Sequence, residues 1–366
     1  MAPISFARGV PAPECLPVEE LADCAKAAIE RDGKAVLSYG PGGGYGPLRE
    51  WIAARHGVEP ARVVVTSGSL QGFVFLAEQL VQPGARVLVE APTYDRPLKI
   101  LARLGADIVG LPMDEDGLQP ETLERALAEG EKPAFLYTIA TFQNPSGRTL
   151  SAERRTRVVE LARAHDLLVL EDDPYGLVRY EGEALPTMFG LDGGVNLVYA
   201  SSFSKTVAPG VRVGYFVLPS ELAAQIEALA VSTYISPPFL AQATVHEFLR
   251  RGNFEPNLER VKGLLRSRRD AMLEALEEHM PDGATWSRPQ GGYFVWLDLP
   301  SAAPDLARAE EAGVTFVKGT DFFAAGQGGE RSLRLAFSFV SPDEIAEGVS
   351  RLSPLLRGAP APASAL

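Results

Sequence analysis

Lys205 stands in the run Ser201-Ser202-Phe203-Ser204-Lys205, and Pro209-Gly210-Val211-Arg212 follows a few residues later. The run continues directly from an apolar stretch at 197–200 that reads as a strand. A lysine among small hydroxyl residues at the mouth of a sheet suits covalent chemistry on a carbonyl. Burial and neighbouring positive charge favour loss of its proton, and the neutral amine is the nucleophile. Ser202, Ser204 and Arg212 offer hydroxyls and a guanidinium fork to a phosphate. A surface loop with a solvated lysine is the competing reading.

Four other segments bear on the same chemistry. Leu168-Val169-Leu170-Glu171-Asp172-Asp173-Pro174-Tyr175 carries an apolar strand straight into three carboxylates. Open α/β sheets hold ligands at the C-terminal ends of their strands. A carboxylate buried there needs a cationic partner to stay ionised. A protonated pyridine nitrogen is such a partner, and the pairing makes the ring an electron sink. An acidic loop that caps a helix is the alternative. In Phe142-Gln143-Asn144-Pro145-Ser146-Gly147, Asn144 is placed to donate to a ring hydroxyl or phenolate oxygen, although these residue pairs also form plain turns. Thr66-Ser67-Gly68-Ser69-Leu70-Gln71-Gly72 joins a strand to a helix, and the amides of a helix start with Ser69 beside them suit a phosphate. Arg334, in Ser332-Leu333-Arg334-Leu335, alternates to one face of an apolar strand and needs an anion there. A substrate carboxylate and a structural salt bridge both meet that need.

The elements that position these groups follow from periodicity. Strand-like runs at 63–66, 86–90, 107–111, 134–138, 167–171, 197–200 and 213–218 alternate with helical patterns at 69–81, 120–128 and 152–165. This alternation predicts a mostly parallel sheet covered by helices on both faces. A Ser/Pro/Gly-rich loop, not a helix, joins the last two runs. The C-terminal third reads as α+β, with a helix over 257–279, strands over 293–299, 314–317 and 332–337, a helix near 305–312 and a last helix from Pro342. The expected organisation is a large domain over 46–256 and a small domain formed by 1–45 with 257–366. The N-terminal segment is expected to pack on the small domain, and the Ala/Pro-rich tail 358–366 to fray.

Composition excludes several classes. The net charge of −12 repels nucleic acid and anionic membranes, so cations that hold an anionic ligand must act locally. The basic stretch from Arg260 to Arg269 is flanked by Glu259 and Asp270 and reads as one solvated face of a long helix. No window is apolar enough to cross a bilayer, and residues 1–9 lack the apolar core of a secretory signal. Cys15 and Cys24, expected in one helix, read as two thiols in a reducing cytosol, so the expected location is cytoplasmic. The four histidines lie at no metal-ligand spacing, and no metal site is expected.

Six motifs stand in order: Gly-Tyr-Gly-Pro-Leu-Arg (44–49), Thr-Ser-Gly-Ser (66–69), Phe-Gln-Asn-Pro-Ser-Gly (142–147), Glu-Asp-Asp-Pro-Tyr (171–175), Ser-Phe-Ser-Lys (202–205) and Leu-Arg-Leu (333–335). In this combination the sequence resembles the class I/II aminotransferases of fold type I, which use pyridoxal 5′-phosphate (PLP). Within them it is most similar to the 2-aminoadipate and kynurenine aminotransferase branch. The resemblance runs from Ile4-Ser5-Phe6 to the last helix. It implies an α/β large domain with a mixed, mostly parallel sheet sandwiched by helices, and a smaller α+β domain.

The resemblance also implies roles. Lys205 matches the Schiff-base lysine and Asp172 the partner of the ring nitrogen. Tyr175 and Asn144 match the pair at the ring oxygen. Ser69, Ser202, Ser204 and Arg212 match the phosphate positions, and Leu70, where a Gln is usual, retains a useful backbone amide. Tyr94 matches the aromatic stacked on the ring. Tyr39 matches a tyrosine that reaches the phosphate of the neighbouring subunit, which implies a homodimer with shared sites. Arg334 matches the arginine on the substrate α-carboxylate, near Asn144. Arg8, where a small residue is usual, and Gly9 would lie over the substrate. The chain starts almost at Ile-Ser-Phe, so neither the additional N-terminal helix of some relatives nor the DNA-binding helix-turn-helix of related regulators is expected.

The implied activity moves an amino group between an L-α-amino acid and a 2-oxo acid, with Lys205 as the base at the α-carbon. The same scaffold supports β-elimination and decarboxylation, and a ligand-sensing module without turnover is a further reading. Phe6, Val10, Tyr39, Tyr45 and Tyr234 are expected to line the side-chain pocket, which favours a long apolar or aromatic substrate.

Overall fold

The computed structural model describes residues 3–324 and 328–357, so the tail at 358–366 lies outside the described residues. The chain opens with β1 (Ile4–Ser5), α1 (Val18–Val36) and α2 (Gly46–His56). It then runs through β2 (Val63–Thr66), α3 (Ser69–Leu80), β3 (Arg86–Ala91), α4 (Asp95–Arg103), β4 (Asp107–Asp114), β5 (Gly117–Leu118), α5 (Pro120–Ala128), β6 (Phe135–Thr138), α6 (Ala152–Ala164), β7 (Val169–Asp172), α7 (Met188–Asp192), β8 (Leu197–Ser202) and β9 (Gly214–Val217). Three helices follow, α8 (Ser220–Tyr234), α9 (Phe239–Arg250) and α10 (Phe254–His279). The remainder is β10 (Thr285–Trp286), β11 (Phe294–Asp298), α11 (Leu306–Glu311), β12 (Val314–Thr315), β13 (Val317–Lys318), β14 (Ser332–Ala336) and α12 (Pro342–Leu356).

Short β-branched and aromatic runs make the central strands. Every residue of β2, β6, β7 and β8 is buried, as strands covered by helices on both faces require. The large sheet has the order β2-β9-β8-β7-β6-β3-β4-β5. Strands β8, β7, β6, β3 and β4 run parallel, whereas β9 is antiparallel to both its neighbours and β5 to β4. The loops that leave β3, β6, β7 and β8 therefore emerge on one edge. They carry Tyr94, Asn144, Tyr175 and Lys205 respectively. The reversal from β8 to β9 uses the expected Ser/Pro/Gly-rich loop.

The second sheet, β10-β11-β14-β13, is antiparallel. The strand expected over 314–317 divides: Val314 and Thr315 pair with β1, while Val317 and Lys318 join β14. Pairing of Ile4 with Val314 fastens the N-terminus to the C-terminal part of the chain. Helix α1 instead packs against α9. Capping sets the helix starts. Ser151 accepts from the Arg154 amide ahead of α6, and Ser341 and Glu344 form a reciprocal capping box on α12.

Two expectations need correction. Cys15 lies in a short 3₁₀ turn (Pro13–Cys15) and only Cys24 lies in α1; both are buried free thiols. The basic stretch of α10 is not one solvated face, because Arg268 and Arg269 are buried. Arg268 reaches Glu14 and the Ser338 carbonyl, and Arg269 reaches Glu181, Asp270 and the Pro289 carbonyl. A guanidinium on an apolar helix face is tolerated when acceptors converge on it.

Arg155 of α6 is the extreme case, fully buried beneath the sheet edge. It donates to the carbonyls of Ala140, Leu150 and Pro186 and to Thr141 Oγ1, and lies 3.9 Å from Glu171. Glu171 accepts in turn from the Met188 and Phe189 amides at the start of α7. Replacing Arg155 by Ala leaves the buried Glu171 without its nearby counter-charge and several carbonyls without their donor. The Arg155→Ala protein is expected to lose ~3–5 kcal/mol of stability, read as a lowered denaturation midpoint.

Candidate active site

A cavity of about 230 Å³ opens at the carboxyl edge of the parallel strands, and Lys205, Asp172, Tyr175, Tyr94, Asn144, Ser69, Leu70, Ser202, Ser204 and Arg212 all line it. Residues from Ser69 to Arg212 thus converge because parallel strands deliver their loops to one edge.

Asp172 ends β7 at the cavity floor. Its Oδ2 accepts from the Tyr137 hydroxyl at 2.8 Å, while its Oδ1 is buried and has no hydrogen-bond partner among the described residues. Burial pushes its carboxyl up to about 7, against the lowering effect of the Tyr137 hydrogen bond. An acceptor held dry and open in this way suits a ligand cation or N–H donor. Tyr137 was not singled out from the sequence. Its strand was, and β6 lies beside β7 in the register Tyr137 to Leu170, so the aromatic in that strand was the available signal.

Lys205 lines the same cavity, half-buried, with Nζ donating to the Gly9 carbonyl at 2.8 Å and 5.1 Å from the centre of the Tyr293 ring. Burial brings its ammonium down to about 8, helped by the positive charges of Arg334 and Arg212. Tyr175 is buried beside it, its hydroxyl pushed up by burial, and Tyr94 is shifted the same way for the same reason.

At one end of the cavity, Ser202 Oγ donates to Ser204 Oγ at 2.8 Å, and Arg212 reaches Ser204 Oγ at 3.5 Å and the Ser67 carbonyl at 3.1 Å. Helix α3 begins here after Gly68, which has a left-handed φ of 85° and no side-chain cap. A β-carbon on Gly68 would lie 2.2 Å from Arg212 Nη2. Glycine there lets the guanidinium close over the open amides of the helix start, which makes a cup for a tetrahedral anion.

Arg334 of β14 is buried outside the cavity lining and is joined to it through Asn144. Its Nη1 donates to Asn144 Oδ1 at 3.0 Å and its Nη2 to the Ala7 carbonyl at 2.8 Å; Nε has no partner among the described residues. Phe294 and Phe322 face its guanidinium, with centroids 4.5 and 5.1 Å away. No carboxylate pairs with Arg334 in the described structure, so the salt-bridge reading of this arginine is not realised.

Other expected residues fall elsewhere. Val10 lines the cavity, but Phe6, Tyr45 and Tyr234 do not. Phe6 is buried against Gly348 of α12, Tyr45 bonds Asp32, and Tyr234 packs on Phe75. Apolar burial made these aromatics part of the core, which sequence alone does not separate from a pocket wall. Arg8 stacks 4.3 Å from the Phe339 centroid, outside the cavity lining. Tyr39 is 80% exposed at the surface. No cluster of metal ligands occurs among the described residues. No helix of the described residues is long and apolar enough to cross a membrane.

Comparison with known proteins identifies the family and the fold. The model of the family described as aminotransferase class I and II matches residues 14–352. The chain is 39% identical over 362 residues to the 2-aminoadipate transaminase of Thermus thermophilus, covering 97% of this chain and 90% of that one. It is 35% identical over 367 residues to aromatic-amino-acid aminotransferase 1 of Thermococcus litoralis, covering 97% and 88%. The crystal structure of α-aminoadipate aminotransferase from Thermus thermophilus, complexed with N-(5′-phosphopyridoxyl)-L-leucine, superposes with a TM-score of 0.92 at 37% identity, over 97% and 92% of the two chains. With a match along nearly its whole course, this chain belongs to the class I and II aminotransferases and is a PLP-dependent enzyme of amino-group transfer.

Proposed function

We propose that the enzyme transfers the amino group of an L-α-amino acid with a large side chain to a 2-oxo acid, with Lys205 as the covalent anchor and proton carrier. The observation that carries this reading is that a readily deprotonated Lys205 and a buried Asp172 oxygen without a partner among the described residues line one cavity. The residues present fit the cofactor: Ser69, Ser202, Ser204, Arg212 and the Leu70 amide would hold its phosphate, Tyr94 its ring face, Asp172 its ring nitrogen, and Tyr175 and Asn144 its ring oxygen. Once bound, PLP supplies an aldehyde for the substrate amine and a ring that accepts the electrons of the α-carbon.

The remaining work belongs to the protein. Arg334 binds the α-carboxylate as a fork and fixes which α-carbon bond faces Lys205. Lys205, as a neutral amine, removes the α-proton and returns it elsewhere on the same framework. Burial of Asp172 keeps its charge unscreened, so it holds a proton on the nitrogen it faces. The apolar residues Val10, Leu70, Pro97 and Ile139 border the space left for a side chain. These walls and the two relatives, named for aminoadipate and aromatic amino acids, support a long or aromatic substrate. Elimination and decarboxylation are not favoured, since both of those relatives are named for amino transfer. The exposed Tyr39 supports a homodimer in which each chain lends this tyrosine to the other's phosphate site. Localisation in the cytoplasm is part of the same reading.

The direct test adds one amino acid, without a 2-oxo acid, to the PLP-loaded protein and follows the cofactor spectrum. Conversion to the pyridoxamine form with release of the 2-oxo acid is expected, and release of ammonia or carbon dioxide overturns the reading. The rate of cofactor uptake by Lys205 should rise about tenfold per pH unit below pH 8 and level off above it, because only the neutral amine attacks the aldehyde and its fraction saturates past about 8. An unperturbed lysine would keep rising toward pH 10.5 in stopped-flow absorbance. Arg334→Ala is expected to lower kcat/KM about 10²–10³-fold, mostly through KM for both amino and oxo acid, in steady-state assays.

A further inference from the structure

Glu90, the penultimate residue of β3, is fully buried, with β6 between its strand and the Asp172 strand β7, and it does not line the cavity. Its Oε1 accepts from Thr138 Oγ1 at 2.6 Å, and its Oε2 from the Ile139 amide at 3.1 Å and Gln143 Nε2 at 3.0 Å. Gln143 is itself buried. Its Nε2 also donates to the Pro92 carbonyl at 2.7 Å, and its Oε1 accepts from the Ser146 amide at 2.8 Å. No cation pairs with Glu90 in the described structure. A carboxylate accepts only, so three donors from a neighbouring strand and loop can close on one group.

The partners define what is being joined. Thr138, Ile139 and Gln143 belong to the end of β6 and the loop that presents Asn144. Pro92 lies in the turn that presents Tyr94, and the Thr93 amide of that turn donates to the Phe322 carbonyl at 2.9 Å. Phe322 faces Arg334, and Arg334 donates to Asn144. The contacts make a closed circuit around the cavity wall, with Glu90 and Gln143 as the link between its two loops.

We propose that Glu90 is a positioning residue for amino transfer. Through Gln143, it fastens the Asn144 loop to the Tyr94 turn and so fixes the Asn144–Arg334 pair relative to the aromatic face of the cofactor site. The inference rests on the roles given above to Tyr94, Asn144 and Arg334. It differs from a purely structural role in what it predicts. Loosening the link should move ligand affinities, since the groups it places are the ones that touch ligand.

The test compares Glu90→Ala, Glu90→Gln and Gln143→Ala. In Glu90→Ala three buried donors lose their acceptor, and kcat/KM should fall about tenfold or more, carried mainly by KM, with a similar rise in the Kd for PLP read by fluorescence quenching. Glutamine keeps one oxygen for Ile139 and Gln143 and turns its amide to the Thr138 hydroxyl, so Glu90→Gln should stay within about threefold of the parent in all three quantities. Gln143→Ala cuts the same link without touching β3 and should reproduce the Glu90→Ala pattern, which keeps the test decisive if Glu90→Ala fails to fold. Parental KM and PLP affinity in either alanine variant, whatever its thermal midpoint, overturn the proposal. Glu90→Gln as impaired as Glu90→Ala also overturns it, since charge and not fastening would then be the cause. A parent protein that transfers no amino group overturns the proposed function instead.

Discussion

The Asp172 carboxylate has one oxygen satisfied by Tyr137 and one left dry and unpartnered. Holding a carboxylate out of water in this way is costly, so burial favours its protonated form, and an arriving cation or strong donor relieves the cost for the ionised form. Much of the architecture serves that condition. Glu171 and Asp173, on either side, are satisfied by other means: α7 amides with Arg155 nearby for the first, Tyr199 and the Gly176 amide for the second. Of three consecutive acidic residues only the middle one faces the cavity with spare acceptor capacity. Alternation along a strand, with one residue per face, is what separates their fates.

The opposing positive groups come from distant parts of the chain. Lys205 follows β8 of the large sheet, whereas Arg334 belongs to β14 of the second sheet. The N-terminal segment crosses between them, with the Ala7 carbonyl on Arg334 and the Gly9 carbonyl on Lys205. That segment is held in register because β1 pairs with β12. Its backbone oxygens therefore meet both cations, and under the proposed function a substrate carboxylate has to compete with, or sit beside, a carbonyl already in place. Burial first, and then the positive charges of Arg334 and Arg212, lower the affinity of Lys205 for its proton, so under the proposed function the two arginines also help to activate the lysine.

Most of this frame was legible in the sequence. Runs at 63–66 and 120–128 became β2 and α5 without adjustment, because β-branched triplets and a Pro-initiated amphipathic stretch each have one stable reading. Ten of the residues singled out from the motifs, Ser69, Leu70, Tyr94, Asn144, Asp172, Tyr175, Ser202, Ser204, Lys205 and Arg212, line one cavity, whereas Arg334, Arg8, Gly9 and Tyr39 lie outside its lining. Less legible was anything decided by long-range partners. Arg268 and Arg269 looked like solvated charge, and only the folded chain supplies the carbonyls and carboxylates that let them be buried. The run at 314–317 reads as one strand, yet a bend at Phe316 gives its halves to different sheets. Phe6, Tyr45 and Tyr234 have the composition of a pocket wall but meet core neighbours instead. Glycines 291 and 292 became intelligible only in space: a β-carbon on Gly291 would lie 2.1 Å from the Phe142 ring, which fills the gap they leave beside the Asn144 loop.

The central claim is that one buried amine, and no other, carries the cofactor. Borohydride reduction of the PLP-loaded protein, followed by proteolysis and mass spectrometry, tests it most directly. The account requires a single pyridoxyl adduct, located on Lys205 and absent from a Lys205→Ala protein. Label spread over surface lysines, or an adduct that survives the substitution, would contradict it.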